Sequence, residues 1–549
     1  MNCQSKKFHP ETSIDPRTLT FGKVLADKRV RIADKLFLHS LPDGRKWTYG
    51  EFDHDSSRMA SGFDRAGVAP REHVAVMMEN CPEQLLSYFA LGKLGACTVP
   101  VNTAARGDLL VYFLTHADCS TIVVGQDLLP RVLEVTGSLP LLKRIFVLAD
   151  DSAPSRQPHC ADVPVLQLAS LLSCEAAPLP YEPVFSDLAF LMFTSGTTGP
   201  SKAIMYTQAH TLYWGWDYAQ HHHYTVDDTL YVYLPLFHGN GWLCSTLGAL
   251  MADASVALAK RFSASRFWHD VAVSEATVTN CLGAVATFLW AQPPRPQDLD
   301  HRTRRMGVSP VPAFGVEFQE RFGVTIMSSY GLTDYCMATA HSALHPREKL
   351  GSYGTARKGV QVRIADENDM PLPPGVPGEI LIRSDNPWGA ALGYYKMPDA
   401  SLAARSNMWF HTGDRGHLDA DGYLYFKDRI KDAIRRRGEN ISAFEVESVV
   451  HSHPAVETAA VYAVKAESTE DEVAVSVILR PGATLTEADL VDHCRKNLAY
   501  FMVPRYVEFV DSLPMTLSQK VEKYQLRTRA QARLGEMWDR VAAGIVVER

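Results

Sequence analysis

Several features that would narrow a function are missing from this 549-residue chain. Its ten cysteines, at positions 3, 81, 97, 119, 160, 174, 244, 281, 336 and 494, form no CxxC pair and no Cys/His cluster with zinc spacing. They read as reduced core thiols of a cytoplasmic protein. A basic excess is absent: 55 Lys and Arg face 62 Asp and Glu, for a formal charge of −7, which argues against a dedicated nucleic-acid binder. The polar start, MNCQSKKFHPETSIDPR, has no apolar signal segment. The run free of Asp, Glu, Lys and Arg from Thr229 to Ala252 is broken by Pro235, His238, Asn240 and glycines. That run predicts strand, loop and helix start rather than a membrane span. Neither GxSxG nor GxGxxG occurs, which removes support for the ordinary hydrolase and dehydrogenase readings.

Apolar residues make up 46% of the chain and charged residues 21%, enough for large cores. Short β-branched runs such as His73–Met78, Arg144–Leu148 and Leu188–Phe193 alternate with helical patterns such as Pro82–Leu94. This alternation predicts α/β layers with largely parallel sheets. From about Val360 the texture becomes hairpin-like, with Val360–Ile364 and Glu379–Arg383 flanking a Pro/Gly-rich loop. After Asp428-Arg429-Ile430-Lys431-Asp432 comes a smaller α+β unit: a helix over Ala443–His451, strands over Thr458–Ala463 and Glu472–Leu479, and a helix over Glu487–Leu498. The expected division is a body over residues 1–430 and a C-terminal domain over 431–549, joined at a charged linker.

The string with most chemical content is Thr194-Ser195-Gly196-Thr197-Thr198-Gly199-Pro200-Ser201-Lys202, directly after an apolar strand. Glycines let the backbone approach an anion, hydroxyls and amides can donate to phosphate oxygens, and Lys202 adds a point charge. The spacing is not GxxxxGK[ST]. His221-His222-His223 lacks accompanying carboxylate or cysteine ligands and reads as a solvated loop.

The loop string resembles the phosphate-loop signature of the adenylate-forming superfamily, which includes acyl-CoA synthetases, luciferases and peptide-synthetase adenylation domains. Other elements resemble that family's signatures in order: Tyr330-Gly331-Leu332-Thr333-Asp334, Phe410-His411-Thr412-Gly413-Asp414, Tyr425-Phe426-Lys427-Asp428-Arg429, Arg437-Gly438-Glu439-Asn440-Ile441, and Pro514-Met515-Thr516-Leu517-Ser518-Gln519-Lys520. The resemblance runs from about residue 20 to 530, and its wording is closest to the carnitine-CoA-ligase-like branch. It implies a layered α/β body with a β-rich subdomain and a mobile α+β lid carrying a catalytic lysine.

The resemblance also implies chemistry: ATP activates a carboxylic acid to an acyl-adenylate with release of pyrophosphate, and coenzyme A then takes the acyl group. Lys520 contacts the carboxylate and α-phosphate. Thr194, Ser195, Gly196, Thr197, Thr198, Gly199 and Lys202 cradle the phosphates. Asp334 stands where the family has Glu and is the expected Mg²⁺ ligand, one methylene shorter. Asp414 accepts the ribose hydroxyls beside Arg429, and Tyr330 stacks on adenine. Ser309, Ser329, Gly331, Leu332, Thr333 and Phe426 complete the nucleotide contacts. His238, Trp242, Gly283, Gly307, Val308 and Gly331 are the acyl-pocket candidates, with Val308 a departure that narrows the channel. Lys431 is the hinge, Gly438 opens the pantetheine path, and Arg435-Arg436-Arg437 could meet coenzyme A phosphates. Gln519 replaces the family's Gly, which keeps open an enzyme that loads an acyl-carrier protein. A non-catalytic nucleotide sensor is a reading of another class, opposed by the presence of Lys520, Asp414 and Arg429. The identity of the acid and the oligomeric state are not written in the sequence.

Overall fold

The computed structural model describes residues 14–149, 163–194, 201–429, 434–436, 439–441, 443–465, 471–498, 500–516 and 520–547. The apolar runs read from the sequence become strands with close bounds: His73–Met77, Arg144–Leu148 and Leu188–Phe193. They belong to a seven-stranded sheet, in the order Val165–Gln167, Arg144–Leu148, Thr121–Gly125, His73–Met77, Cys97–Pro100, Leu188–Phe193, Ala203–Thr207. All neighbours pair in parallel except the last two strands. Each of these central strands is buried on both faces, which is why they read as continuous rather than alternating apolar runs.

A nine-stranded sheet runs from Thr355–Ala356 through Met337–His341, Thr325–Gly331, Arg305–Ser309, Val278–Leu282, Thr229–Val232 and Ser255–Leu258 to Leu36–Ser40 and Lys46–Thr48. Its middle strands are parallel, so their C-terminal ends open together at one edge. The helix Gln208–His221 packs on Leu188–Phe193 and Ala203–Thr207 of the first sheet and on Met337–His341 of the second. Thr207 caps it by accepting from the His210 amide at 3.1 Å. Most of its residues are buried, because sheets cover it on two sides. Deep in that layer, Arg357 Nη1 donates to Asp217 Oδ1 at 3.0 Å, and both side chains are almost wholly buried. Removing either partner would strand the other charge away from water.

The hairpin texture after Val360 becomes a four-stranded antiparallel sheet, Val360–Ala365, Gly378–Ser384, Phe410–Leu418 and Leu424–Arg429. The C-terminal part has its own sheet, Val456–Lys465, Asp471–Leu479, Tyr506–Phe509 and Trp538–Asp539, with helices Ala443–His451, Glu487–Asn497 and Lys523–Ala532. Its apolar residues, among them Val461, Val475, Leu490 and Val507, form a separate core. The fold is thus a large α/β body with a β-rich subdomain and a smaller α+β domain. Among the described residues no helix is long and apolar enough to cross a membrane.

The histidine triplet is not the solvated loop that its sequence suggests. His222 is fully buried after the end of the Gln208–His221 helix, its ring 4.2 Å from that of Tyr218. His221 is half-buried and faces Asp217. Burial holds the His222 pKa well below the usual imidazole range, and holds His210 at about 3 and His341 at about 4, against an ordinary 6.5. All three are held neutral in the fold, so the unfolded chain binds protons first. Their contribution to stability is complete above pH 6.5 and is lost as pH falls towards 4. Urea denaturation should therefore show stability declining from pH 7 to pH 5. His341→Asn should remove up to about 2 kcal/mol of that decline. An unchanged pH slope in the variant would count against this account.

Candidate active site

The edge where the parallel strands end gathers most of the sequence candidates. Thr194 and Lys202 close the base of the phosphate-loop string: the Thr194 amide donates to the Lys202 carbonyl at 3.0 Å, and the Lys202 amide donates to Thr194 Oγ1 at 3.3 Å. The hairpin pairing of Leu188–Phe193 with Ala203–Thr207 fixes that base. Ser195, Gly196, Thr197, Thr198 and Gly199 lie outside the described residues, as do Lys431 and Gly438.

Asp414 is 4% exposed and central. The Tyr330 hydroxyl donates to its Oδ2 at 2.7 Å. Arg429, paired opposite it on the neighbouring strand, brings Nε to 3.1 Å from Oδ1. That approach is out of line, and buried Oδ1 keeps no hydrogen-bond donor. Burial raises the Asp414 pKa, and the Arg429 charge opposes that rise. The Tyr330 ring lies 6.0 Å from Tyr353 and 6.4 Å from Phe426, so three aromatic rings wall one side.

Asp334 stands at the turn after Gly331. Its charge acts on the buried hydroxyls of Tyr206 and Tyr394, raising both pKa values further than burial alone. The Tyr394 hydroxyl is within hydrogen-bonding reach of that carboxylate. Lys202 Nζ sits 4.4 Å from the centroid of the Tyr394 ring. Tyr206 donates to the Thr333 carbonyl at 2.7 Å. Tyr394, Tyr206 and Tyr353 were not among the sequence candidates. Tyr353 and Tyr394 come from segments outside the signature strings, and Tyr206, four residues after Lys202, gains its part only through tertiary contact with Thr333.

Lys520 arrives from the C-terminal domain. Its amide donates to Thr516 Oγ1 at 3.0 Å, and the Thr516 amide donates to its carbonyl at 2.7 Å, which pins the base of its hairpin. The residue remains open to solvent. Surrounding protein nonetheless lowers its ammonium pKa, first by desolvation and then by the Arg429 charge, against the pull of Asp414 and Asp334. The same ammonium, after burial, helps hold His238 at about 4, so half-buried His238 is a neutral imidazole.

Other acyl candidates are placed differently. Trp242 does not reach the cleft: it is fully buried against Phe21, Tyr88, Phe89 and Phe190. Val308 is also fully buried, on the opposite sheet face with Cys281 and Met306, and narrows no channel. Strand alternation sends its side chain away from the neighbouring Gly307 and Ser309. A Cβ on Gly283 would meet the Pro310 carbonyl at 2.7 Å, so that glycine permits close packing rather than leaving room. A Cβ on Gly307 would collide with Asn280. Ser309 and Ser329 sit side by side, half-buried, with Ser309 Oγ 3.4 Å from the Ser329 amide. Gly331 is exposed, and Leu332 and Thr333 are half-buried at the rim. Arg436 is not offered to a ligand: its Nε lies 2.6 Å from buried Glu472.

This geometry sits in a chain whose residues 26–395 match the AMP-binding enzyme model, and whose residues 445–520 match the AMP-binding enzyme C-terminal domain. The chain belongs to the AMP-binding enzyme family. A crotonobetaine/carnitine–CoA ligase of Salmonella heidelberg (strain SL476) is 31% identical to this AMP-binding enzyme over 490 residues, 88% of this chain and 93% of that protein. Among solved structures, ATP-bound MatB from Rhodopseudomonas palustris superposes with a TM-score of 0.82 at 26% identity, covering 94% of this chain and 99% of that one. The O-succinylbenzoate coenzyme A synthetase MenE from Bacillus subtilis, in complex with ATP and a magnesium ion, gives 0.79 at 25% identity, covering 92% and 98%.

The electrostatics of the Lys520 amine are open to measurement. Competitive labelling with acetic anhydride across pH should show Lys520 losing its proton below the bulk lysines. Arg429→Ala should move that midpoint up and Asp414→Asn should move it down, since the two charges act in opposite senses on it. A midpoint unmoved by either variant would place the ammonium away from both.

Proposed function

We propose that this enzyme is an AMP-forming acid–thiol ligase working in two half-reactions. In the first, a carboxylate oxygen attacks the α-phosphorus of ATP, forming an acyl-adenylate and releasing pyrophosphate. In the second, the thiolate sulfur of coenzyme A attacks the acyl carbonyl, forming a thioester and releasing AMP. The single observation that carries this reading is the place of Lys520: carried on the C-terminal part, its ammonium is acted on by the charges of Arg429, Asp414 and Asp334.

Each partner has a matching group. Buried Asp414 Oδ1, with no hydrogen-bond donor, fits a ribose hydroxyl. The Tyr330, Tyr353 and Phe426 rings fit a flat base. Thr194 and Lys202, with the string from Ser195 to Gly199, hold the phosphates. Lys520 neutralises charge that builds between carboxylate and phosphorus. Its position over both reactants also fixes their approach.

Among the described residues no group of three His, Cys, Asp or Glu is arranged to hold a metal alone. One carboxylate, Asp334, together with substrate phosphates and water suits Mg²⁺, which binds with few protein ligands. Bound there, the ion would neutralise phosphate charge. For the second half-reaction Lys520 withdraws. The C-terminal domain, residues 431–549, turns about Lys431 and presents Gly438 instead.

The direct test is pyrophosphate release from ATP with a panel of carboxylic acids, with and without coenzyme A. Acid-dependent release, with thioester formed only when the thiol is added, is expected. Lys520→Ala should cut acid-dependent ATP–pyrophosphate exchange by about a hundredfold or more while sparing thiolation of supplied acyl-adenylate. Equal loss in both half-reactions would remove the role given to Lys520. Asp334→Ala should shift the magnesium titration of the exchange to higher concentration, and an unmoved titration would remove Asp334 from the metal site.

A further inference from the structure

We infer that this enzyme takes short carboxylic acids, because a buried Tyr218–Asn280 plug closes the acyl cleft behind Ser309 and Ser329. The inference rests on the ligase reading and adds the substrate class. Strand register locates the plug. Asn280 pairs with Gly307 and Leu282 with Ser309 across one strand pair, and Gly307 pairs with Met327 across the next. Alternation puts all of these, with Ser329 and Gly331, on one sheet face. Along that face, exposure falls within a single step. Gly331, at the rim, and Leu282 are exposed, and Ser309 and Ser329 are half-buried. Asn280 and Met327, one step deeper, are closed off.

What fills the deeper layer is a satisfied polar cluster rather than loose apolar packing. Tyr218 Oη donates to Asn280 Oδ1 at 3.1 Å. Asn280 Nδ2 donates to Ser245 Oγ at 2.9 Å and to Tyr224 Oη at 3.2 Å. Tyr218, Tyr224, Ser245 and Asn280 are all buried. Three separate elements therefore meet on one amide, and each hydroxyl has its partner. Such a network is rigid, because displacing any member leaves buried donors unmatched. Gly307 belongs to it by what it omits. A Cβ there would clash with Asn280 Oδ1 and come within 3.2 Å of Tyr218 Oη. That glycine admits the Asn280 amide, not the substrate.

The depth left open sets the length of the acid. From Gly331 at the rim to Ser329 is two residues, about 7 Å of extended strand, which accommodates roughly four to six carbons. The end of that space is formed by the Ser309 and Ser329 hydroxyls. Longer chains would have to displace Tyr218 from Asn280.

The test is pyrophosphate release by the full chain with ATP, Mg²⁺ and straight-chain acids from acetate to decanoate. Between butyrate and octanoate, kcat/KM should fall by about a hundredfold or more. Tyr218→Ala opens the floor and should raise kcat/KM for octanoate at least about tenfold over the parent. Tyr218→Phe keeps the bulk and should keep the cut-off. If Tyr218→Ala loses its cooperative melting transition, Asn280→Ala is read in the same way. Octanoate used as well as butyrate by the parent chain would overturn the inference, as would a cut-off that neither opening variant moves. If no acid of any length releases pyrophosphate, the ligase reading itself fails, a result distinct from a missing cut-off.

Discussion

One ammonium, open to solvent yet crowded by protein charge, governs the arrangement. Lys520 is carried on a C-terminal hairpin, yet the charges that tune it, Arg429, Asp414 and Asp334, belong to the body. In bulk water such an ion is fully solvated and its interactions with neighbours are weak. At the cleft, protein replaces part of that solvent, so the ammonium gains from a negative partner and is penalised by Arg429. A carboxylate and an α-phosphate supply that negative charge. On the proposed reading, the lysine's position is most favourable when the reactants are present. That is the property required of a group that stabilises a transition state.

Around that ammonium the body is built for fixity. The helix Gln208–His221 lies between two large sheets, locked by the buried Asp217–Arg357 pair and flanked by histidines kept neutral by burial. The parallel strands of the nine-stranded sheet end at one edge, which places Ser309 and the Tyr330–Asp334 segment side by side. Loops leaving such an edge can differ without disturbing the core. The Tyr394 ring beneath Lys202, and its hydroxyl beside Asp334, show the opposite dependence. There, a residue from the segment before the helix Pro398–Ala403 meets two groups proposed for the nucleotide site. The two halves of the proposed cycle divide along the same line, with a rigid cradle in the body and a moving cation in the lid.

The specificity layer lies one strand step below the chemistry. Asn280, Tyr218, Tyr224 and Ser245 are tied to one another by hydrogen bonds on the Asn280 amide. A small change there alters cleft depth without altering the Asp414–Arg429–Tyr330 triad.

The linear order of residues determined the layered α/β class, because continuous apolar strands and helical runs follow from local burial requirements alone. It also carried the nucleotide candidates, since Thr194, Asp334, Asp414, Arg429 and Lys520 sit in short strings that resemble one family's signatures in their order along the chain. The acyl site was not legible in the same way. Trp242, Val308 and Gly307 are small or apolar residues near a signature, and nothing local tells a core face from a cleft face. Strand pleating decided it: Val308 turns into the core, and Gly307 turns towards Asn280. The tyrosines at 206, 353 and 394 gained meaning only by contact with residues distant in the chain. The buried state of His222 likewise came from tertiary packing, because a polar triplet looks solvated until the surrounding layers exclude water from it.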